Sequence, residues 1–319
     1  MNILQNRTRF TIAASVVFVA AVSLVILGFS HGLTAAGKST AEGSAIISSS
    51  YRFPDSLDFA GERVPLENFD TRESLEREII TTAYRHSSTI LIIKRAHRYF
   101  PVIESILKQY GIPEDFKYLA VAESDLSNMV SPVGATGFWQ IMPETGREQG
   151  MEINQEVDER YNFECSTRFA CEYFRKSYEK YGNWTLAAAS YNGGRSGLSE
   201  QIEIQKVKNY YDLLLTEETA RYIFRALSYK LVINDPAAYG FEIDRKELYP
   251  GLRYTEVKVD TAVTDFARFA ADFGTNYKIL KLLNPWLRKP YLSNKSRKSY
   301  MIKIPEKGSR NANFYENID

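Results

Sequence analysis

The chain has 319 residues, 44% of them hydrophobic and 25% charged, with a formal net charge of +1. That composition belongs to a globular chain with room for about two domains and excludes a disordered polyelectrolyte. The near-zero charge gives no support for nucleic-acid binding or for a polybasic membrane patch.

Residues 10–29, FTIAASVVFVAAVSLVILGF, carry no charge. A helix of that length spans about 30 Å, the thickness of a bilayer's hydrocarbon core. Arg7 and Arg9 precede it, which keeps its start cytoplasmic and exports the chain beyond it. The run is longer than the usual signal-peptide core of about 7–15 residues. LTAAG at 33–37 is a weak cleavage site, and no cysteine directly follows that could carry a lipid. The expectation for residues 1–36 is a signal-anchor or a signal peptide. In either case the rest works outside the cytoplasmic membrane, in the cell envelope; an uncleaved signal-anchor would hold it to that membrane, facing the periplasm and cell wall. Residues 37–69 are rich in Ser, Gly and charge, lack periodicity, and read as a tether.

Asp70, with Glu73 three residues on as in a capping box, opens a helix carrying Leu75, Ile79 and Ala83 on one face. A second helix starts near Thr89, where Ile90, Ile93, Ala96 and Phe100 recur at helical spacing. Pro101 interrupts it, and Ile103, Ile106, Leu107 and Tyr110 continue. Gly111 reads as the stop and Pro113 as the first position of the next helix. There Phe116, Leu119, Ala120 and Glu123 fall at i, i+3, i+4 and i+7, so Glu123 points the way the core residues do, from the last turn. Further helices are predicted over about 166–181, 184–191, 204–214 and 217–234, and no strand is predicted between 85 and 240. RYTEVKVD (253–260) then alternates like a strand. Two short helices end at Gly274 and Pro285, and SYMIKIPE (299–306) reads as a closing strand. The fold class expected is mainly α: a helical domain at 70–248, a small α+β (βααβ) module at 249–307 and a tail at 308–319.

A carboxyl on an apolar stripe loses hydration, which raises its pKa, and the negative end of the helix dipole acts in the same sense. Kept neutral near pH 7, such a group can hand a proton to a leaving oxygen. The stripe alone suits equally a core glutamate held by a hydrogen bond or one turned to solvent at a frayed helix end. SPVGATG (131–137) adds the Ser131 hydroxyl and residues small enough for backbone to approach a ligand. Trp139 offers a flat face, and Gln140 a donor and an acceptor, although Trp-Gln taken alone reads more often as a core aromatic with a surface amide. AAASYNGG (187–194) sets Tyr191 and Asn192 at a helix end. Asp125 lies two residues from Glu123, points elsewhere on a helix, and reads as a turn cap, not a second carboxylate of an acid/base pair. The two cysteines, Cys165 and Cys171, and the scattered His31, His86 and His97 lack metal-ligand spacing. Within one helix the cysteines would be separated by about 9 Å of rise, beyond disulfide reach, so free thiols are expected; a bridge needs Cys165 in the preceding loop.

Four segments in order, YLAVAES (118–124), SPVGATGFWQIMPETGREQG (131–150), ERYNFECSTRFACEYFRKSYEKYGNWTLAAASYNGG (159–194) and TEETARYIFRAL (216–227), carry a resemblance. Together they resemble the lytic transglycosylases with a goose-lysozyme-like catalytic domain, especially the membrane-bound D type, over residues 85–240. RAHRYFPVIESILKQYGIPEDFKYL (95–119) is similar to the helical lead-in of that type. The resemblance implies cleavage of peptidoglycan between N-acetylmuramic acid and N-acetylglucosamine without water. One glutamate first protonates the leaving oxygen and then acts as base on the muramic acid's 6-hydroxyl, closing a 1,6-anhydro ring, while the acetamido group assists at the anomeric carbon.

Carried over by motif, Glu123 is the acid and base, Ser131 hydrogen-bonds substrate, and Gln140, Tyr191 and Asn192 line the subsites and hold Glu123 in place. Tyr222 directs its hydroxyl towards the glutamate, and Trp139 and Met142 serve as walls. Asn-Gly-Gly stands where Asn-Ala-Gly is commoner, and the gap from Glu123 to Ser131 is one residue shorter than in some relatives. No cofactor or metal is implied; the partners implied are glycan strands of peptidoglycan and, through the N-terminal segment, the membrane. FARFAADFGTNYKILKLLNPWL (266–287) with YMIKIP (300–305) resembles a LysM repeat, with VDTAVTD in place of the usual Gly-Asp-Thr entrance and RKPYLSNKSRK (288–298) inserted. Such a copy packs on the enzyme or grips the wall weakly. A lysozyme-type hydrolase using water and a non-catalytic wall-binding protein are the alternative functions.

Overall fold

The computed structural model describes residues 51–315. The apolar run at 10–29 lies outside the described residues, and among those described no helix is long and apolar enough to cross a membrane. The architecture is mainly helical, with two small two-stranded sheets.

Part of the segment read as tether is built into the body. Asp58–Phe59 (β1) and Glu62–Arg63 (β2) form an antiparallel hairpin, and Phe59 is fully buried against Phe116, with ring centroids 5.5 Å apart. Three apolar residues, Phe59, Val64 and Leu66, anchor the stretch. They are too few to show a period.

The first helix, α1, is Phe69–Tyr84. It starts before Asp70 with Asn68 at the cap position and no side-chain cap bond, so the expected capping box does not form. Helix α2 is His86–Gln109, unbroken, with Pro101 inside it. Pro101 lies on the exposed side, and the helix carries on because Phe100, Ile103, Ile106 and Leu107 bury its other face. Pro113 precedes a single 3-10 turn, Glu114–Phe116, which runs into α3, Lys117–Ser124. Leu119, Ala120 and Val121 of α3 are fully buried, which makes this short helix the centre of the domain.

Helices α4 (Pro143–Glu148), α5 (Phe163–Tyr181), α6 (Trp184–Gly193), α7 (Arg195–Gln205) and α8 (Glu217–Asn234) follow. α8 packs on α1 and α3, and α5 packs on α2 and α6. The helix expected over 204–214 is absent. α7 ends where Lys206 turns left-handed (φ 59°), and only a 3-10 turn, Tyr210–Asp212, follows. Tyr210 is buried there because its hydroxyl donates to the carbonyls of Thr219 (2.8 Å) and Ala220 (2.7 Å). A long-range contact, not a helical repeat, sets its apolar position.

Tyr254–Val259 (β3) pairs antiparallel with Tyr300–Pro305 (β4), Tyr254 opposite Pro305 and Val259 opposite Tyr300. Between them run α9 (Phe266–Asp272) and α10 (Tyr277–Leu283). This βααβ module has its own core, including Phe266, Leu280, Trp286, Leu287 and Ile302, and Val157 of the helical domain belongs to the same cluster. Backbone bonds cross the seam: Asp158 N–H donates to Trp286 O at 2.9 Å and Arg288 N–H to Glu156 O at 2.7 Å. The Glu156 carboxylate accepts from the Ser293 N–H and hydroxyl, each at 2.7 Å. The inserted stretch 288–298 thus lies along the helical domain.

Candidate active site

Glu123 occupies the last turn of α3, and the chain reverses directly after it. Asp125 (φ 50°) and Leu126 (φ 54°) are left-handed, and the Ser124 hydroxyl donates to Phe138 O at 2.9 Å. Asp125 caps α3 and turns away from Glu123 towards Arg85, with which it forms a 2.9 Å ion pair. Asp125 also meets α8, accepting from the Tyr229 hydroxyl at 3.4 Å, more than one helical turn beyond the residue that meets Glu123.

Tyr222, on the buried face of α8, donates its hydroxyl to Glu123 Oε1 at 2.7 Å. Glu123 keeps some solvent access, yet the mass of protein around its carboxyl raises the pKa from the usual 4.5 to about 7. The Tyr222 hydrogen bond and the Arg225 guanidinium act against that rise, and Glu218 adds to it. Burial and the neighbouring carboxyl hold the Tyr222 hydroxyl well above its usual pKa, so it stays a donor. Glu218 and Arg225 flank Tyr222 at i−4 and i+3, on the same side of α8.

Tyr191 lies half-buried beside the pair, with the pKa of its hydroxyl raised first by the protein around it and then by the charge on Glu123. Its hydroxyl donates not to Glu123 but to Trp139 O at 2.6 Å. Trp139 itself is fully buried, with Nε1–H donating to Thr167 Oγ1 at 3.0 Å; it is a core residue beneath the site and not a substrate wall. Met142 is partly exposed.

The remaining expected residues organise the surroundings of Glu123 without touching its carboxyl. Asn192 donates to Glu218 Oε1 at 3.2 Å and accepts from Thr219 Oγ1 at 2.9 Å. Gln140, itself left-handed (φ 45°), donates Nε2–H to Met129 O and Gly137 O. The Ser131 hydroxyl accepts from Ala135 N–H at 3.0 Å and closes the 131–135 turn. Hence Gln140, Tyr191 and Asn192 do not hold Glu123 by direct bonds; among these residues only Tyr222 does. The interactions resemblance alone missed are with Glu218 and Arg225, which the helical spacing from Tyr222 would have given. A further one, Arg160, has no signal in the sequence: it donates to Gly134 O and Ile141 O, at either end of the loop.

Gly137 shows how tightly that loop is set. It has φ +83°, and a Cβ there would fall inside contact distance of the Arg160 carbonyl oxygen. Cys165 and Cys171 both lie in α5 as free thiols, and burial pushes their pKa values up to about 11 and about 12. Among the described residues, no group of His, Cys, Asp and Glu could hold a metal ion.

Residues 101–214, from the middle of α2 past the 3-10 turn after α7, match the family model of the transglycosylase SLT domain. That stretch of the chain is similar to SLT domains. Glu123, Ser131, Gln140, Tyr191 and Asn192 fall inside the matched SLT stretch, and Tyr222 comes from the helix that follows it. Residues 255–308 match the model of the soluble lytic transglycosylase C-terminal LysM-like domain, which is the βααβ module. Over 235 residues the chain is 25% identical to the membrane-bound lytic murein transglycosylase D of Escherichia coli strain K12, covering 71% of this chain and 50% of that relative. The same figures hold for the membrane-bound lytic murein transglycosylase D of Escherichia coli O6:H1. The chain thus spans about half the length of the curated relatives it matches.

Proposed function

We propose that the chain is a peptidoglycan lytic transglycosylase with Glu123 as its acid and then its base. The observation that carries this is one carboxyl with a pKa of about 7, bonded by a tyrosine, inside the stretch similar to SLT domains. At neutral pH a large fraction of such a group is protonated, against well under 1% for an ordinary glutamate.

In the first step Glu123 donates its proton to the oxygen joining N-acetylmuramic acid to N-acetylglucosamine. The C1–O bond breaks, N-acetylglucosamine leaves as an alcohol, and the muramic acid's acetamido oxygen bonds to C1. The carboxylate left behind accepts the Tyr222 hydrogen bond, which is stronger to an anion than to a neutral acid. In the second step Glu123 takes the proton of the 6-hydroxyl, whose oxygen attacks C1 and displaces the acetamido oxygen. The 1,6-anhydro ring closes, Glu123 is again protonated, and no water is consumed. Assistance by the substrate explains why one carboxyl suffices, where two enzymic carboxylates would otherwise flank the bond. Ser131 and Gln140 shape the loop against which the strand lies, and Tyr191 and Asn192 close the opposite side. The LysM-like module at 249–307 rides on the helical domain at 70–248, and residues 10–29 hold both at the membrane, facing the cell wall.

Digestion of purified sacculi by the exported part, with mass analysis of the fragments, tests the reading. Anhydro-muropeptides are expected, and Glu123→Gln should abolish their release while leaving sacculus binding intact. New reducing ends would indicate a hydrolase, binding without cleavage a wall-binding protein, and turnover by Glu123→Gln would overturn the site assignment.

A further inference from the structure

The segment between α4 and α5 faces two ways. On one side it is seated in the LysM-like module: Val157 is buried in that module's core, and Glu156 and Asp158 pair by backbone with Arg288 and Trp286. On the other side it reaches the loop beside Glu123. The Asp158 carboxylate accepts from Arg160 in a two-pronged pair, Nε–H to Oδ1 at 2.9 Å and Nη2–H to Oδ2 at 2.7 Å. The remaining prong, Nη1, donates to Gly134 O at 3.0 Å and Ile141 O at 3.2 Å. Arg160 and Asp158 are 8% and 7% exposed, so these bonds are made out of water and fix geometry. Between the two clamped carbonyls lie Phe138, bonded through its carbonyl to Ser124, and Trp139, bonded through its carbonyl to Tyr191. The loop is therefore tied to the residue after Glu123, to the Tyr191 helix and, through Arg160 and Asp158, to the module.

We propose that Arg160 is a positioning residue for the 131–141 loop and that the LysM-like module, acting through Asp158, is the seat that aligns this loop beside Glu123. The proposal rests on the reading of Glu123 as the reacting group. Arg160 touches no reacting atom. It acts by holding the loop, and a loop misplaced by about 1 Å can lower a rate by about a hundredfold with binding little changed. A lysine cannot take its place, because one ammonium cannot present the planar fork that spans a carboxylate and two carbonyls.

The test uses the full chain in detergent, and compares Arg160→Lys and Glu156→Ala with the parent. Hydrogen exchange and kinetics on soluble glycan strands are measured for all three. In Arg160→Lys the amides of 131–141 should exchange about tenfold faster while those of α2 and α8 keep their rates. The kcat should fall about tenfold with KM within about twofold. Glu156→Ala removes a module contact remote from the loop and covers the case in which Arg160→Lys does not fold. It should quicken exchange at both 286–294 and 131–141 by about threefold. Loop exchange at parental rates in Arg160→Lys would overturn the clamp, and a loosened loop with unchanged kcat would overturn its part in the reaction. A module loosened in Glu156→Ala without any response from the loop would overturn the coupling. A parent chain inert on glycan strands, with exchange responding as expected, would refute the functional reading and leave the clamp standing.

Discussion

Glu123 lies where burial outweighs the interactions that oppose it. Burial disfavours its charge, while Tyr222 and Arg225 favour it. Because its folded pKa of about 7 stands above the usual 4.5, the folded state holds more protons than the unfolded chain across that window. Stability therefore falls as pH rises from about 4.5 to about 7 and stays reduced above. Glu123→Gln removes this effect: at pH 8 it should stabilise the fold by on the order of 2 kcal/mol, and at pH 4 by almost nothing. Urea unfolding at the two pH values checks it. The same titration sets the rate. The free enzyme needs the protonated acid, so kcat/KM should decline above about pH 7. Tyr222→Phe deletes a bond that favours the charged form, so the declining limb should move to higher pH while the maximal rate drops about tenfold or more. A pH–rate profile of the variant reads both. Gly137→Ala, strained in φ and pressed on the Arg160 carbonyl, should lose most activity with a lowered Tm. The Glu123 stripe and the Tyr222 motif were readable because a helical period or a motif marks them. Arg160's clamp was not, since it depends on partners 19 and 26 positions away.

At the scale of elements, α6 depends on a distant residue. Asn183 caps it locally, accepting from Leu186 N–H at 2.7 Å. Glu62 of the hairpin accepts from the Trp184 and Thr185 N–H groups at 2.6 and 2.9 Å and from the Thr185 hydroxyl at 2.7 Å. A carboxylate at a helix N-terminus meets both unsatisfied donors and the positive end of the dipole. Glu62→Ala should cost about 1–3 kcal/mol, read as a lowered Tm, with faster exchange in the first turn of α6. Because α6 carries Tyr191 and Asn192, activity should fall with it. Local sequence indicated α6, α8 and both strands of the module closely, since each carries its own period and stops. It did not show that the segment before α1 closes onto α6, because a glutamate that caps a helix more than a hundred residues away leaves no local mark. The helix expected at 204–214 failed for a different reason: Tyr210 faces inward to bond the first turn of α8, not as part of a helical repeat.

For the whole molecule, the helical domain and the module share a core residue, backbone pairing and several ion pairs. Lys298 bonds Glu152, and Lys303 bonds Glu164. Units joined this closely should unfold together, so calorimetry should record one transition for residues 51–319. Val157→Asp, which places a charge in the module's core, should split that transition or abolish the module's part of it. Interfaces between independent domains of one chain are usually more polar and allow relative motion; a residue from one domain buried in the other's core argues for a fixed arrangement.

The placement of Val157 also bears on how such modules can be exchanged. A LysM-like unit cut at its apparent border, near residue 250, would leave behind a side chain its interior requires and the backbone groups of Glu156 and Asp158 that complete its edge. Any recombination, natural or engineered, that trades this unit for another has to carry along a stretch encoded almost a hundred positions earlier, or else evolve a substitute for it.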